Sequence, residues 1–341
     1  MNRIALYFGG SRQVSVREEP VPPLAPGQVL VHTVLSAISA GTELLIYRGE
    51  APVNEPVDEV IAALPGTFGF PLKYGYSTVG QVIATGAEVD PSWEGVMVFA
   101  FHPHESYFAA SPSELMPLPD AIAVEDAVFL PNMETAINFV MDGQPLIGEQ
   151  VVVFGQGIVG LLTTALLAQF PLAGLVTLDR YRRRRDTSLR LGAHASLDPK
   201  SPKAIERAIS LLQGTRPYPG ADLAYELSGA PDALEQAMAV VGFSGRVVIG
   251  SWYGQKRVEV DLGGRFHRSR IRLISSQVST VAPELTGRWS KARRFQIAWQ
   301  MLQKVKPSHY ISHNFHITQA AEAYRLLDEN PAEVIQVTLT Y

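Results

Sequence analysis

The spacing of apolar residues changes character near Ala123. Before it, short β-branched runs at Val14–Arg17, Val29–Leu35, Val79–Ala84 and Val96–Phe101 alternate with turns and read as strands. Pro20, Pro22, Pro23, Pro26 and Gly27 punctuate the first gap as a linker. Residues 54–70 mix acidic residues, proline and glycine, and read as a mobile flap. After Ala123 helical and strand periods alternate. A helix is expected at Glu125–Met141, a strand at Val151–Phe154, a helix at Val159–Ala168, a strand at Leu175–Leu178 and a helix at Arg183–Leu191. Strands follow at Leu223–Glu226, Arg246–Gly250 and Ile271–Ser275, with a helix at Asp232–Val240. That alternation predicts an α/β fold built on a doubly wound parallel sheet. Beyond Ser279 come a long helix (Ser290–Val305), a strand, a short helix (Gln319–Glu329) and a last strand (Val334–Tyr341). The expected division is 1–125, 126–279 and 280–341, with the outer two pieces forming one domain.

Residues Val151 to Leu178 are almost all apolar and long enough to suggest a membrane span. Three glycines within six residues, Pro171, Gly174 and the closing Asp179 favour strand, helix and strand instead, because parallel strands covered on both faces are apolar throughout. The 341 residues suit two domains, and 46% hydrophobic with 18% charged residues is a globular composition. A formal net charge of −4 gives no reason to expect nucleic acid or an anionic membrane as partner. The chain opens on strand-like residues rather than a basic, apolar leader, so a cytoplasmic location is expected. It contains no cysteine, which rules out disulfides, thiol nucleophiles and thiolate-bound zinc or iron–sulfur centres.

The segment Gly155-Gln156-Gly157-Ile158-Val159-Gly160 has the form GxGxxG. Alone it is a weak signal. Here it follows an apolar strand, opens an apolar helix and has an acid, Asp179, 19 residues beyond its last glycine. In a dinucleotide site Gly155 permits the tight turn, Gly157 admits the pyrophosphate, and Gly160 lets helix pack on strand. The helix N-terminus favours the phosphates. Asp179 would accept the ribose hydroxyls of NAD and repel a 2′-phosphate. Arg180 would stack on adenine, although arginine at this edge also suits NADP. Arg182–Arg185 read as a solvated first helical turn.

With these residues in place, the chain resembles the medium-chain dehydrogenase/reductase superfamily from end to end. Gly75–Gly80 is similar to its GHEAAG block, Gly95–Val98 to GDRV, and Gly220–Gly229 to GxDxxxExxG. Gly245–Gly250 is similar to the strand after that block, and His309–Tyr341 to the closing strand, helix and strand. The resemblance implies a GroES-like β-barrel catalytic domain beside a Rossmann domain. It also places Ser228, Ser251, Ser276 and Gln277 at strand ends beside the cofactor. Ser39-Ala-Gly-Thr-Glu43 and Ser251-Trp-Tyr-Gly254 resemble most the subgroup of bacteriochlorophyllide hydroxyethyl dehydrogenase, which implies a bulky secondary alcohol or ketone.

The departures bear on chemistry. Where the family's catalytic zinc takes Cys, His and a third Cys or Glu-type ligand, this chain has Ile38–Glu43, then Tyr76 and Ser77, then Asn132–Glu134. Fewer than three protein ligands remain, so no zinc is expected. Other groups must then polarise a carbonyl and handle its proton. The candidates are Thr42 and Glu43, taken as a loop at the family's proton-relay position, then Tyr76 and His104. Tyr76 alternatively fills space, and Glu43 alternatively caps a helix. His102 or His104 titrating near neutrality would relay a proton; otherwise both are exposed loop residues. His309, His313 and His316 lie on a strand-like segment and are not expected to converge on a metal. The expected function is an NAD(P)-dependent, zinc-independent alcohol dehydrogenase or ketone reductase. An enone or quinone reductase and a non-catalytic NAD(P)-binding sensor are the alternatives. A small-molecule substrate and a second copy in a homodimer are the expected partners.

Overall fold

The structure is a computed structural model that describes residues 1–212 and 219–341. Two compact units divide it: Met1–Pro131 with Trp299–Tyr341, and Asn132–Ala298. The sequence placed the return to the first unit at 280. The division falls at Ala298 instead, where the wholly buried Arg294 donates to the Thr280 and Val278 carbonyls and to Glu134.

The first unit opens with an antiparallel hairpin, β1 (Asn2–Gly10) and β2 (Gln13–Pro20). Strand β3 (Val29–Ala37) leads into helix α1 (Ala40–Arg48). Thr42 and Glu43 therefore lie on a helix, correcting the loop expected there. Glu43 Oε1 accepts the Ser39 N–H at 2.7 Å and so closes the helix N-terminus, while Gly49, in the left-handed region, ends it. Residues 54–70 are no free flap. Val57 N–H donates to the Gly66 carbonyl and Phe68 N–H to the Glu55 carbonyl, while Val57, Leu64 and Phe68 are buried in one core with Phe8 and Tyr324.

Strands β4 (Thr78–Thr85), β5 (Met97–Ala100), β6 (Tyr107–Ala110) and β7 (Leu115–Pro117) follow. One continuous helix was expected over 125–141. Two are found, α2 (Val124–Ala127) and α3 (Leu130–Gly143), because Pro131 has no N–H and starts a helix more readily than it continues one.

The second unit carries β8 (Gln150–Phe154), α4 (Ile158–Leu167), β9 (Gly174–Leu178), α5 (Arg182–Arg190) and β10 (Ala195–Leu197). It continues with α6 (Ala204–Leu211), β11 (Ala221–Glu226), α7 (Pro231–Val240), β12 (Val241–Ile249) and β13 (Arg272–Ser275). Its strands are all parallel, in the order β10-β9-β8-β11-β12-β13. The apolar run 151–178 is thus strand, helix and strand. Among the described residues no helix is long and apolar enough to cross a membrane.

The chain closes with α8 (Lys291–Val305), β14 (Ile311–His316), α9 (Ala320–Glu329) and β15 (Gln336–Thr340). The last strand pairs with β3, so the two ends of the sequence complete one sheet, ordered β14-β15-β3-β4-β5-β7 with β6 also on β3. This is the α/β architecture expected from the sequence, a GroES-like unit and a Rossmann unit.

Candidate active site

In the second unit the strand order reverses between β8 and β11, since β9 lies on one side of β8 and the later strands on the other. Ligands of open parallel sheets bind at such a switch point, outside the carboxyl ends of the strands. Gly155 ends β8 there with φ of 87°, and a Cβ on it would lie 2.6 Å from the Ser228 Cα beyond β11. Only glycine suits both demands. Gly157 precedes α4 without a side-chain cap, and a Cβ there would meet nothing nearer than Arg184 Nη1 at 4.0 Å. Open space over uncapped N–H groups is what a pyrophosphate requires, so these residues fit a dinucleotide. Ile158 is buried and Val159 half-buried in the first turn.

The other expected cofactor residues divide by role. Asp179 Oδ2 accepts the Gln156 N–H at 2.7 Å and Oδ1 accepts the Tyr181 N–H at 2.8 Å. Each oxygen keeps a lone pair for a ribose hydroxyl. The Gln156 side chain turns inward to Thr164 and the Gly155 carbonyl and is unavailable to a ligand. Ser228 donates to the buried Glu226, the acid of the Gly220–Gly229 block, which also accepts from Tyr253 at 2.6 Å; nothing in either local segment said that the two would pair. Ser251 accepts the Gly229 N–H, Ser276 joins Asn138 and Asp142, and Gln277 folds back on Ser279. The guanidinium groups of Arg180 and Arg184 lie 5.7 and 4.9 Å from the Tyr181 ring. Arg184 is half-buried, and desolvation lowers its pKa, so its side chain is not part of a solvated helical turn.

In the first unit Tyr76 is half-buried. Its hydroxyl bonds to Ser39 Oγ and lies 3.4 Å from Thr42 Oγ1. Burial raises the phenol pKa, partly offset by these two hydroxyls, so Tyr76 stays protonated at neutral pH. Glu43 and His104 are wholly buried. Glu43 Oε2 accepts from the Tyr324 hydroxyl and lies 3.1 Å from His104 Nε2. His104 Nδ1 is 2.7 Å from Ser36 Oγ, itself 2.7 Å from the Tyr341 hydroxyl. The order Ser36, His104, Glu43 is that of a hydrolytic triad, but Ser36 is wholly buried, so no acyl substrate reaches it.

The histidine expectations need correcting. Neither histidine is an exposed loop residue: His104 is sealed, and His102 stacks on Phe108 with centroids 3.9 Å apart. Burial lowers the His102 pKa to about 3, so it stays neutral and does not titrate near neutrality. His313 and His316 on β14 are bonded to Ser312 and Thr318. Sequence reasoning missed Ser36, Ser39, Tyr324 and Tyr341. Only Ser39 carried a local signal, as a serine at the N-cap position ahead of Glu43, although its hydroxyl goes to Tyr76 rather than to the helix.

The zinc positions of the resembled family are filled by groups already engaged. Glu43 serves Ser39, Tyr324 and His104, and Ser77 donates to the Val128 carbonyl. Glu134 Oε1 accepts from two nitrogens of the buried Arg294, at 2.8 and 3.1 Å. Among the described residues no three His, Cys, Asp or Glu side chains converge to hold a metal. As they stand, these residues do not fit a zinc ion.

No protein-family model matches the chain. It is 23% identical over 333 residues to the D-guloside 3-dehydrogenase of Escherichia coli (strain K12), covering 92% of this chain and 93% of that one. Its fold is that of 2R,3R-butanediol dehydrogenase from Bacillus subtilis, with a TM-score of 0.80, 18% identity and 99% of each chain covered. The zinc-dependent alcohol dehydrogenase 2 of Streptococcus pneumonia gives a TM-score of 0.79 at 20% identity, covering 99% of this chain and 98% of that one.

Proposed function

We propose that the protein is an NAD(H)-dependent oxidoreductase that interconverts a secondary alcohol and a ketone without zinc, with the Tyr76 phenol handling the proton. The relatives that support a dehydrogenase are named for secondary alcohols, a 3-dehydrogenase of a guloside and a butanediol dehydrogenase. A bulky secondary alcohol remains the favoured substrate. The observation that carries the proposal is the Tyr76 hydroxyl, half-buried and held by Ser39 and Thr42.

When bound, the nicotinamide gives or takes the hydride. In the reducing direction Tyr76 donates its proton to the oxygen of the carbonyl and recovers one through the Ser39 and Thr42 hydroxyls. A phenol whose pKa burial has raised is protonated and ready to donate at neutral pH. Zinc independence is supported by the lack of cysteine and by Glu134 being held on Arg294. NAD is favoured over NADP because Asp179 offers the ribose a carboxylate.

The test is a panel of secondary alcohols, ketones and enones assayed with both nicotinamides, with Tyr76→Phe alongside. Turnover should require a hydroxyl or ketone and persist in chelator, in protein holding no stoichiometric zinc. Tyr76→Phe should lower kcat at least about tenfold at unchanged NADH affinity, one donor in a dry site being worth more than ~1.4 kcal/mol. One zinc per chain, lost together with activity, would refute the metal-free reading. Turnover of enones alone would make the protein an enone reductase.

A further inference from the structure

Glu43 has more partners than a helix cap needs. Its carboxylate only accepts hydrogen bonds, so the Ser39 N–H, the Tyr324 hydroxyl and His104 Nε2 all donate to it. His104 must carry a proton on Nε2 to donate to Glu43, and a singly protonated imidazole then leaves Nδ1 to accept the Ser36 hydroxyl proton. Ser36 then accepts from the Tyr341 hydroxyl. A directed chain of donors thus runs Tyr341, Ser36, His104, Glu43, with Tyr324 as a second donor to the same carboxylate oxygen.

The other oxygen of Glu43 holds the Ser39 N–H, and the Ser39 hydroxyl holds Tyr76. His104 also touches the backbone that carries Tyr76. Its N–H donates to the Tyr74 carbonyl at 3.4 Å, and its ring lies where a side chain on Gly75 would be. His104 therefore reaches Tyr76 from two sides, through the start of α1 and through residues 74–75. Sealed from solvent, it cannot itself touch a substrate.

We propose that His104 is a positioning residue for Tyr76, acting through Glu43 and Ser39 on one side and through the Gly75 backbone on the other. The inference rests on the proposed role of Tyr76, and its test is chosen so that the two fail separately. A positioning donor acts by restricting the hydroxyl to the direction in which it must give its proton, which lowers kcat when lost and leaves cofactor binding alone.

The experiment uses the full chain with its tyrosines labelled by carbon-13 at Cζ, the Tyr76 signal being assigned by its loss in Tyr76→Phe. His104→Leu removes the donor, whereas His104→Gln keeps an N–H able to reach Glu43. We expect His104→Leu to move the Tyr76 signal and lower kcat about tenfold, with NADH affinity within about twofold of the native protein. His104→Gln should restore both toward native values. If His104→Leu does not fold, Ser36→Ala decides, since it leaves the imidazole in place but frees Nδ1; it should move the Tyr76 signal in the native fold. A folded His104→Leu, or in its absence Ser36→Ala, with the Tyr76 signal and kcat both unmoved overturns the inference. If instead Tyr76→Phe retains full turnover while His104→Leu still moves the Tyr76 signal, the coupling stands and the catalytic role of Tyr76 is what fails.

Discussion

The His104 ring fills the space that a side chain at Gly75 would take: a Cβ there would lie 2.8 Å from both Cδ2 and Nε2 of the imidazole. Gly75 also has φ of 129°, in the region that favours glycine. Gly75→Ala therefore combines backbone strain of about 1–3 kcal/mol with overpacking of similar size. We expect it to lower unfolding stability by about 2–5 kcal/mol in urea titration and to reduce turnover in whatever fraction remains folded. Native stability in this variant would show that the imidazole can move aside.

Two glycines of the glycine-rich loop proposed to hold the phosphates should separate binding from folding. A Cβ on Gly160 would lie 2.0 Å from the Gly155 carbonyl oxygen, so Gly160→Ala should destabilise by about 1–3 kcal/mol. Gly157 has φ of −65° and open space around it, so alanine is sterically acceptable there in the unliganded protein. Its methyl group would nonetheless intrude where a pyrophosphate bound on this loop would approach. Fluorescence titration should show Gly157→Ala binding NADH at least about tenfold more weakly at unchanged melting temperature. Equal NADH affinity in Gly157→Ala and the native chain would place the dinucleotide elsewhere.

Asp179 sets the expected cofactor preference. Its oxygens already order the loop through Gln156 and Tyr181, and the same carboxylate repels a 2′-phosphate. Asp179→Ser should weaken NADH binding about tenfold and leave NADPH binding equal or stronger, with Arg180 and Arg184 nearby to receive the phosphate. A several-fold preference of the native protein for NADPH would overturn this assignment.

His102 gives stability a pH dependence whose sign follows from linkage. Its folded pKa of about 3 lies below its usual 6.5, so between these values the unfolded chain binds the extra proton. Stability from this group is complete above about pH 6.5 and is lost as pH falls toward 3, at up to about 1.4 kcal/mol per pH unit. Glu19, whose pKa Lys73, Tyr7 and Arg3 lower to about 2 against the opposing effect of burial, acts in the same direction but only below its usual 4.5. His102→Phe keeps the stacking on Phe108 and should flatten the urea midpoint between pH 6.5 and 4.5. An unchanged slope in that window would assign it to other groups.

The turn at Gly155, the apolar strands beside it and the alternation of strand and helix obey local rules, so they were legible in the chain. The errors lay where a local pattern had two solutions. Residues 54–70 look like a flap by composition, and only the burial of Val57, Leu64 and Phe68 beside Phe8 and Tyr324 ties them down. Ser39 to Glu43 looked like a loop although a serine at the N-cap position and an acid four residues on were present. Residues 125–141 were read as one helix because the apolar period continues past Pro131, and the missing N–H splits it.

By itself the sequence determined the two kinds of domain, the glycine-rich turn with the acid beyond it, and the lack of any thiolate ligand. Each of these depends on residue type and spacing within a few turns of chain, where steric limits and periodicity act directly. Tertiary structure alone decided that Ser36, Glu43, His104, Tyr324 and Tyr341 share one buried chain of hydrogen bonds, and that Glu134 faces Arg294. The reason is physical. A polar group removed from water must find a partner, but nothing in its own segment says which distant residue the fold will bring to it.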